Sequence, residues 1–495
     1  MPILLIDLFA GPGGLNEGFS QIRDATGQRV FKTVLSVECE KTAHQTLKLR
    51  AFYRQLEDTG QTADYYRFLR EEIDRRQLFR LHPEAAAAAK AEALRATLGR
   101  SGSNLKIEAK IAAALATMPG ADCVLIGGPP CQAYSLVGRS RRKHDKKFTN
   151  DKKHYLYREY LHIVKRFQPA VFVMENVAGL LSAKNKGIKM FELICSDLRK
   201  AGYSLHPVNP ASAESAMEDD PKRFVVHAEE YGVPQSRSRV FILGLRKKLD
   251  LTAGALVRAE GDPVTVADVL KDLPRIRSKL SKQSDSAESW RAAIQQLGGY
   301  LFNHLEEKFR NRLMRRLDII PTSYPLGERS VKRTNAGPRK LADWFIHPEC
   351  DLILNHNSRG HMASDLKRYF FWSQYAEFYG ISPSLQDVPP YLRPDHENIS
   401  GDLDELPFSD RFRVQIHDRP STTVVSHIAK DGHYYIHYEP KQCRSLSVRE
   451  AARLQTFPDN YFFEGAATDQ YRQVGNAVPP YLAKQIAAVV HATLT

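Results

Sequence analysis

The opening of the chain constrains the fold more than any other stretch. Ile3-Leu4-Leu5-Ile6-Asp7-Leu8-Phe9 is a short apolar run that passes directly into the glycine turn Ala10-Gly11-Pro12-Gly13-Gly14. A helix-like stretch at 15–22 and a second strand-like run at 33–38 follow. Strand, turn, helix, strand is the beginning of a parallel α/β sheet. A glycine turn in that place lets backbone N–H groups approach a ligand, with the positive end of a helix behind them. Asn16 stands where the third glycine of a GxGxxG fingerprint belongs, which disfavours a dinucleotide oxidoreductase. Glu38 ends the second strand, where a carboxylate can accept both hydroxyls of a ribose. Turn and acid together suit an adenosine-containing cofactor, although a strand–helix turn can also be purely structural.

Further strand-like runs follow at 121–128, 170–177 and 238–245, each bounded by turn residues or charges. Between them, residues 42–116 read as a charged helical insertion, Ala-rich at 84–99, with no chemistry in it. The alternation stops after Gly244, and residues 250–440 hold many Pro-, Gly- and Ser-bearing turns and few long periodic runs. Helical patterns return at 447–457 and 479–494, the second with apolar spacing suited to packing on the sheet. The expected organisation is a catalytic and cofactor-binding domain at 1–248, an irregular domain at 249–442, and a return to the first domain at 443–495.

Charge narrows the partner. Seventy-one Lys and Arg against 57 Asp and Glu give +14, which favours a polyanion, nucleic acid before a membrane surface. No apolar run reaches the roughly 18 residues of a membrane-spanning helix, and the N-terminus lacks the cationic start of a secretory signal. Six scattered cysteines with no CxxC pair argue against a disulfide framework or a zinc site and for a reduced cytosol.

Four constellations carry chemistry. Gly127-Gly128-Pro129-Pro130-Cys131-Gln132-Ala133-Tyr134-Ser135 follows a strand, where α/β enzymes keep their active sites. Rigid prolines beside Cys131 suit an aimed nucleophile, while a structural cysteine in a turn fits the spacing equally well. From Arg139 to Arg166 there are eleven Lys or Arg against three acids, a run that reads as a phosphate-backbone clamp beside the cysteine. Glu175-Asn176-Val177 ends another strand, and its carboxylate is suited to hold or donate a proton. Gln235-Ser236-Arg237-Ser238-Arg239 opens a strand; arginines at i and i+2 project to one side and are expected to converge on one group. Each of the last two also reads as a plain strand-end salt bridge.

Taken in order, these segments resemble the DNA (cytosine-5) methyltransferase family of bacterial type. DLFAGPGG (7–14) looks like its cofactor turn, GGPPCQAYS (127–135) its nucleophile turn, ENV (175–177) its base-binding acid and QSRSR (235–239) its arginine motif. RSLSVREAARLQTFPD (444–459) is similar to its structural segment and QVGNAVPP (473–480) to its closing cofactor motif. Thr423-Val424 resembles the Thr-Leu/Val pair ending its target recognition domain. The acid that the family places for the adenine amino group has no counterpart, Glu108 and Asp122 both being poorly placed.

The resemblance implies an S-adenosylmethionine-dependent, Rossmann-like α/β fold with a smaller irregular target recognition domain. It implies cofactor contacts from Asp7, Phe9, Ala10, Gly11, Gly13, Gly14, Glu38, Cys39, Leu156, Asn476 and Ala477, with S-adenosylhomocysteine as product and no metal. It implies catalysis by Cys131, Glu175, Arg237 and Arg239, and DNA contacts from Gln132, Ser135, Arg139, Arg141, Arg142 and Thr423. Arg329, Lys332, Arg333, Lys340, Arg359 and Arg368 are unsorted candidates for bases or phosphates, while His356, Arg359 and His361 read as a structural polar group. The expected partner is double-stranded DNA, with a cognate restriction endonuclease or another defence protein nearby and no membrane. The protein is expected to be a cytoplasmic monomer associated with the nucleoid. An RNA cytosine-5 methyltransferase is the nearest rival, disfavoured by the long recognition region. A non-catalytic adaptor is disfavoured because Cys131, Glu175 and Arg239 are all present.

Overall fold

Ile3–Leu8 forms β1, and all six residues are buried, as expected for a central strand covered on both faces. Alternate side chains enter two different cores, Ile6 and Leu8 one, Ile3 and Leu5 the other. The computed structural model describes residues 1–130, 156–185, 187–210, 220–300, 302–303, 305–394 and 412–495. Two units emerge: Met1–Pro263 with Ala477–Thr495, and Val264–Asn476.

In the first unit the strands β2 (Phe31–Glu38), β3 (Ala93–Arg95), β4 (Cys123–Gly127), β5 (Val171–Val177), β6 (Tyr203–His206), β7 (Val225–His227) and β8 (Ser238–Arg246) join β1. Their order is β3-β2-β1-β4-β5-β8-β6, with β7 also paired to β8. Strands β1 to β5 run parallel. The run at 238–245, read with the others as part of a parallel sheet, is instead antiparallel to its neighbours. This reversal brings the start of β8 to the end of β5, with Arg239 opposite Val177.

Helix α1 (Gly14–Phe19) begins inside the glycine turn and lies on the C-terminal helix, Pro480–Leu494. A Cβ on Gly14 would lie 2.3 Å from the Val478 carbonyl oxygen, and one on Gly18 would lie 2.4 Å from the Lys484 nitrogen. Backbone meets backbone there, and only glycine permits it. The insertion contributes α2 (Lys41–Asp58), α3 (Ala63–Leu69), α4 (Arg75–Leu81), α5 (Pro83–Glu92) and α6 (Ser101–Ala116). It is not purely helical, because α5 stops at Glu92 and the next three residues extend the sheet as β3. Two buried ion pairs hold it, Arg54 to Glu92 within the insertion and Arg50 to Glu17 of α1 at 2.6 Å. Helices α7 (Leu156–Phe167) and α8 (Met190–Lys200) complete the layer over the core that contains Leu125, Phe172 and Ile194.

The second unit is less irregular than its turn-rich sequence suggests. A 17-residue helix, Ala363–Tyr379, buries Leu366, Tyr369, Phe370, Phe371, Trp372, Ser373, Gln374 and Ala376. Apolar residues occupy too many of its faces for a 3.6-residue pattern to stand out. Residues 443–476 belong to this unit rather than to the first, because fully buried arginines anchor them here. Arg444 grips Glu450 at 2.6 and 2.7 Å, Arg449 donates to the Leu354 carbonyl at 2.8 Å, and Arg453 to that of Val269 at 2.7 Å. The chain re-enters the first unit only at Ala477.

His356 and His361 are core residues, as expected. His356 shares hydrogen bonds with Ser447 Oγ and the Pro274 carbonyl, both 2.8 Å, and His361 with Ser445 Oγ at 3.1 Å. Burial holds the His356 imidazole down at about 4. An imidazole near 6.5 when unfolded but depressed when folded stabilises the fold fully above that value and loses its contribution as pH falls toward 4. At about 1.4 kcal/mol per unit, urea midpoints should drop between pH 7 and 4.5, and His356→Asn should flatten part of that drop. Glu450→Ala, which leaves Arg444 buried without its carboxylate, should cost roughly 3–5 kcal/mol at pH 7 by urea denaturation.

Candidate active site

The glycine turn is built from unusual backbone. Phe9, Gly11 and Gly13 have φ values of 58°, 57° and 101°. Glycine adopts such angles without strain, whereas for a bulky Phe9 they cost on the order of 1–3 kcal/mol, the kind of strain held at ligand sites. Ala10 N–H donates to the Val37 carbonyl at 3.0 Å and Gly13 N–H to the Ala10 carbonyl at 2.9 Å, which closes the turn. Glu38 braces it: its carboxylate accepts Gly11 N–H at 2.8 Å and Glu40 N–H at 2.7 Å. It also bonds the Cys39 thiol, which leaves part of the roughly four acceptor positions of a carboxylate open. Phe9, Ala10, Gly11 and Glu38 are all partly accessible. Cys39 beside them is exposed, its thiol pushed up by partial burial and by Glu38.

Asp7 departs from expectation. It is 0 % exposed, and neither carboxylate oxygen has a hydrogen-bond partner among the described residues. Burial pushes its carboxyl well above the usual range, with Arg54 pulling the other way. Its side chain lies under the turn, closed off from solvent. Gly14 is likewise buried, and its role is the close approach to Val478 and Ala477. Leu156 opens α7 and packs within 3.6 Å of where a Gly99 side chain would begin. Ala477 is 4 % exposed in the first unit, and Asn476 ends the helix Ala467–Asn476 in the second, exposed.

On the neighbouring strand ends, Glu175 and Arg239 meet. Arg239 Nε lies 3.0 Å from Glu175 Oε1, and the side chains are 13 % and 14 % exposed. The antiparallel register makes them diagonal neighbours on one face. The segment leading to the nucleophile turn presses on the same acid, since a Cβ on Gly128 would lie 2.8 Å from Glu175 Oε2. Asn176 Nδ2 donates to the Pro129 carbonyl at 3.3 Å. Gly128 and Asn176 stand inside motifs that the sequence marks, but neither has a role of its own there; the contacts of the two strand ends supply one.

The two arginines of the 235–239 motif do not converge. Arg237 precedes β8, is 2 % exposed and donates through Nη2 to the Ala477 carbonyl at 2.9 Å. The i, i+2 rule fails because only Arg239 lies within the strand. Arg237 thus contacts the start of the C-terminal segment, while Arg239 contacts Glu175.

Cys131, Gln132, Ser135, Arg139, Arg141 and Arg142 lie outside the described residues. The end of the basic run is not loop: Arg158, Lys165 and Arg166 sit on α7, and Arg166 pairs with Glu108 at 2.9 Å. In the second unit Thr423 is partly accessible and Val424 buried. Tyr435 OH donates to the Thr423 carbonyl at 2.9 Å and accepts Val425 N–H at 3.0 Å, which fixes this segment. Arg333 is bound to Asp272 and Asp459, and Arg359 donates to the Ile428 carbonyl at 2.7 Å, so both serve structure. Arg368 likewise pairs with Asp365 at 3.0 Å.

Residues 103–492 match the family model for C-5 cytosine-specific DNA methylases. A type II methyltransferase of Bacillus paralicheniformis, M.Bpa9945I, is 34% identical, covering 99% of this chain and 98% of its own. This chain belongs to the C-5 cytosine-specific DNA methylase family. A DNA (cytosine-5-)-methyltransferase of Aeropyrum pernix, M.ApeKI, is 28% identical over 74% of this chain and 80% of its own. A solved structure of a prophage-encoded E. coli protein, described as a DNA modification methyltransferase, shares the fold with a TM-score of 0.54. It is 20% identical and covers 99% of both chains.

Replacing Arg239 by Met removes the donor facing Glu175 while keeping length. Methyl transfer should fall roughly 10²–10³-fold, the cost of losing one preorganised donor, with cofactor affinity by calorimetry within about twofold.

Proposed function

We propose that this chain transfers a methyl group from S-adenosylmethionine to C5 of a cytosine flipped out of a specific duplex DNA sequence, releasing S-adenosylhomocysteine. The observation that carries this reading is the Glu175–Arg239 pair at 3.0 Å, set at strand ends beside the segment that leads into Cys131. The cofactor fits the turn: strained Phe9 backbone, left-handed Gly11 and Gly13, and a partly accessible Glu38 carboxylate suit an adenosine with free ribose hydroxyls. When bound, S-adenosylmethionine supplies an electrophilic methyl group.

The chain's residues supply the rest. Cytosine C5 is a poor nucleophile until aromaticity is broken. The Cys131 thiolate forms a bond to C6, which makes C5 enamine-like and moves negative charge toward N3 and O2. Glu175 holds or protonates N3, and Arg239 holds O2 and keeps Glu175 oriented. Once C5 carries the methyl group, loss of its proton to water expels the thiolate from C6 and restores the ring. The base is hidden in a stacked duplex, so flipping it costs a few kcal/mol. The basic residues after Cys131, the excess of +14 overall and the segment around Thr423 are suited to hold DNA during that step. Target choice belongs to the second unit, whose sequence lies outside the catalytic strands. Among the described residues no helix is long and apolar enough to cross a membrane, and a cytoplasmic restriction-modification or phage-defence role, alone or with an endonuclease, fits the type II names of relatives.

Cys131→Ser should abolish methylation while leaving DNA and cofactor binding largely intact. DNA carrying 5-fluorocytosine should trap the wild-type protein covalently, because fluorine cannot leave C5 as a proton, and should not trap the serine variant. Methylation that persists in Cys131→Ser, read by bisulfite sequencing, would refute the mechanism.

A further inference from the structure

We propose that Arg237 is a positioning residue for cofactor binding, acting through the carbonyl of Ala477, and not a second arginine for the target base. The proposal rests on the methyltransferase reading above and assigns this side chain a different task from Arg239.

Arg237 is one of the largest fully buried side chains of the protein, at 2 % exposure. A guanidinium in such a place costs free energy unless its donors are used. Its Nη2 donates to the Ala477 carbonyl at 2.9 Å, 240 residues away in sequence. Its own backbone N–H donates to Glu229 Oε2 at 3.1 Å, so the residue is held at both ends.

Ala477 is where the chain re-enters the first unit. It is buried, and its Cβ would lie 3.2 Å from a Cβ placed on Gly14, with the adjacent Val478 carbonyl oxygen at 2.3 Å. Ala477 and Val478 therefore form the surface on which the first residue of α1 rests. The turn just before that residue contains Gly11, whose N–H is bonded to Glu38. A continuous set of contacts runs from the Arg237 guanidinium to the Ala477 carbonyl, to Gly14, to the turn and to the ribose acid. Arg239, two residues on, meets Glu175 instead. One short motif thus serves both halves of the site, one arginine for each.

The side chain's length and its charge can be separated. Arg237→Met fills the same space and donates nothing to Ala477. Arg237→Lys keeps the charge and one directed donor. A hydrogen bond from a charged donor is worth roughly 10- to 100-fold in an equilibrium.

The test uses the full-length protein and S-adenosylmethionine, with affinity by calorimetry, steady-state kinetics on substrate DNA, and a melting temperature for each variant. Arg237→Met should raise Kd and KM for S-adenosylmethionine roughly 10- to 100-fold. Its kcat at saturating cofactor and its trapping by 5-fluorocytosine DNA should change less than about threefold. Arg237→Lys should recover most of the affinity. A fall in kcat and trapping with KM unchanged would place Arg237 on the base and overturn the proposal, as would no change in either. Should Arg237→Met fail to fold, Arg237→Lys decides alone: a KM for S-adenosylmethionine raised about threefold at unaltered kcat supports the role, and an unaltered KM overturns it. Wild-type protein that binds no S-adenosylmethionine would instead defeat the methyltransferase reading itself.

Discussion

Where α1 meets the C-terminal helix, backbone lies against backbone, and the geometry of the glycine turn depends on it. α1 has six residues and no side-chain cap, too short to be stable by itself. Its position is imposed from both sides, by the contacts of Gly14 and Gly18 with Val478 and Lys484 and by the buried pair of Glu17 with Arg50 of the insertion. With α1 fixed, the turn before it can hold Phe9 at a positive φ and offer the Gly11 N–H to Glu38. The strain in Phe9 is small beside the burial of the surrounding strands, and that burial keeps it in place.

The reactive half of the site depends on a reversal of direction. If β8 ran parallel to β5, its first residues would lie at the far end of the sheet from Glu175. Because it runs antiparallel, Arg239 at its start reaches the carboxylate at the end of β5. The glycines before Cys131 then matter for their missing side chains: Gly127 lies against the Leu8 carbonyl and Gly128 against Glu175. The ends of β4 and β5 and the start of β8 thus lie side by side, where an open α/β sheet offers a crevice.

Much of this was legible in the sequence because it is written locally. The runs at 3–9, 33–38, 121–128, 170–177 and 238–245 are short and apolar between turn residues, and each contains a strand. Glu38, Glu175 and Arg239 were legible because each stands at the end of such a run. What was not legible depends on partners distant in sequence. Strand direction is invisible in SRVFILGL itself. The fate of Arg237 is decided by Ala477, and that of Asp7 by burial under its own turn. Arg333, Arg359 and Arg368 read as candidates for DNA because a solvated arginine and one held by carboxylates or carbonyls are the same letter. The helix Ala363–Tyr379 was hidden for the opposite reason, since burial on most sides erases the periodicity by which helices are found.

The central claim is that the site methylates carbon 5 of cytosine. Nucleoside mass spectrometry of duplex DNA incubated with the purified protein and isotopically labelled S-adenosylmethionine tests it most directly. The account predicts label in 5-methylcytosine alone. Label in N4-methylcytosine or N6-methyladenine, chemistry that needs neither a thiolate at C6 nor an acid at N3, would contradict it.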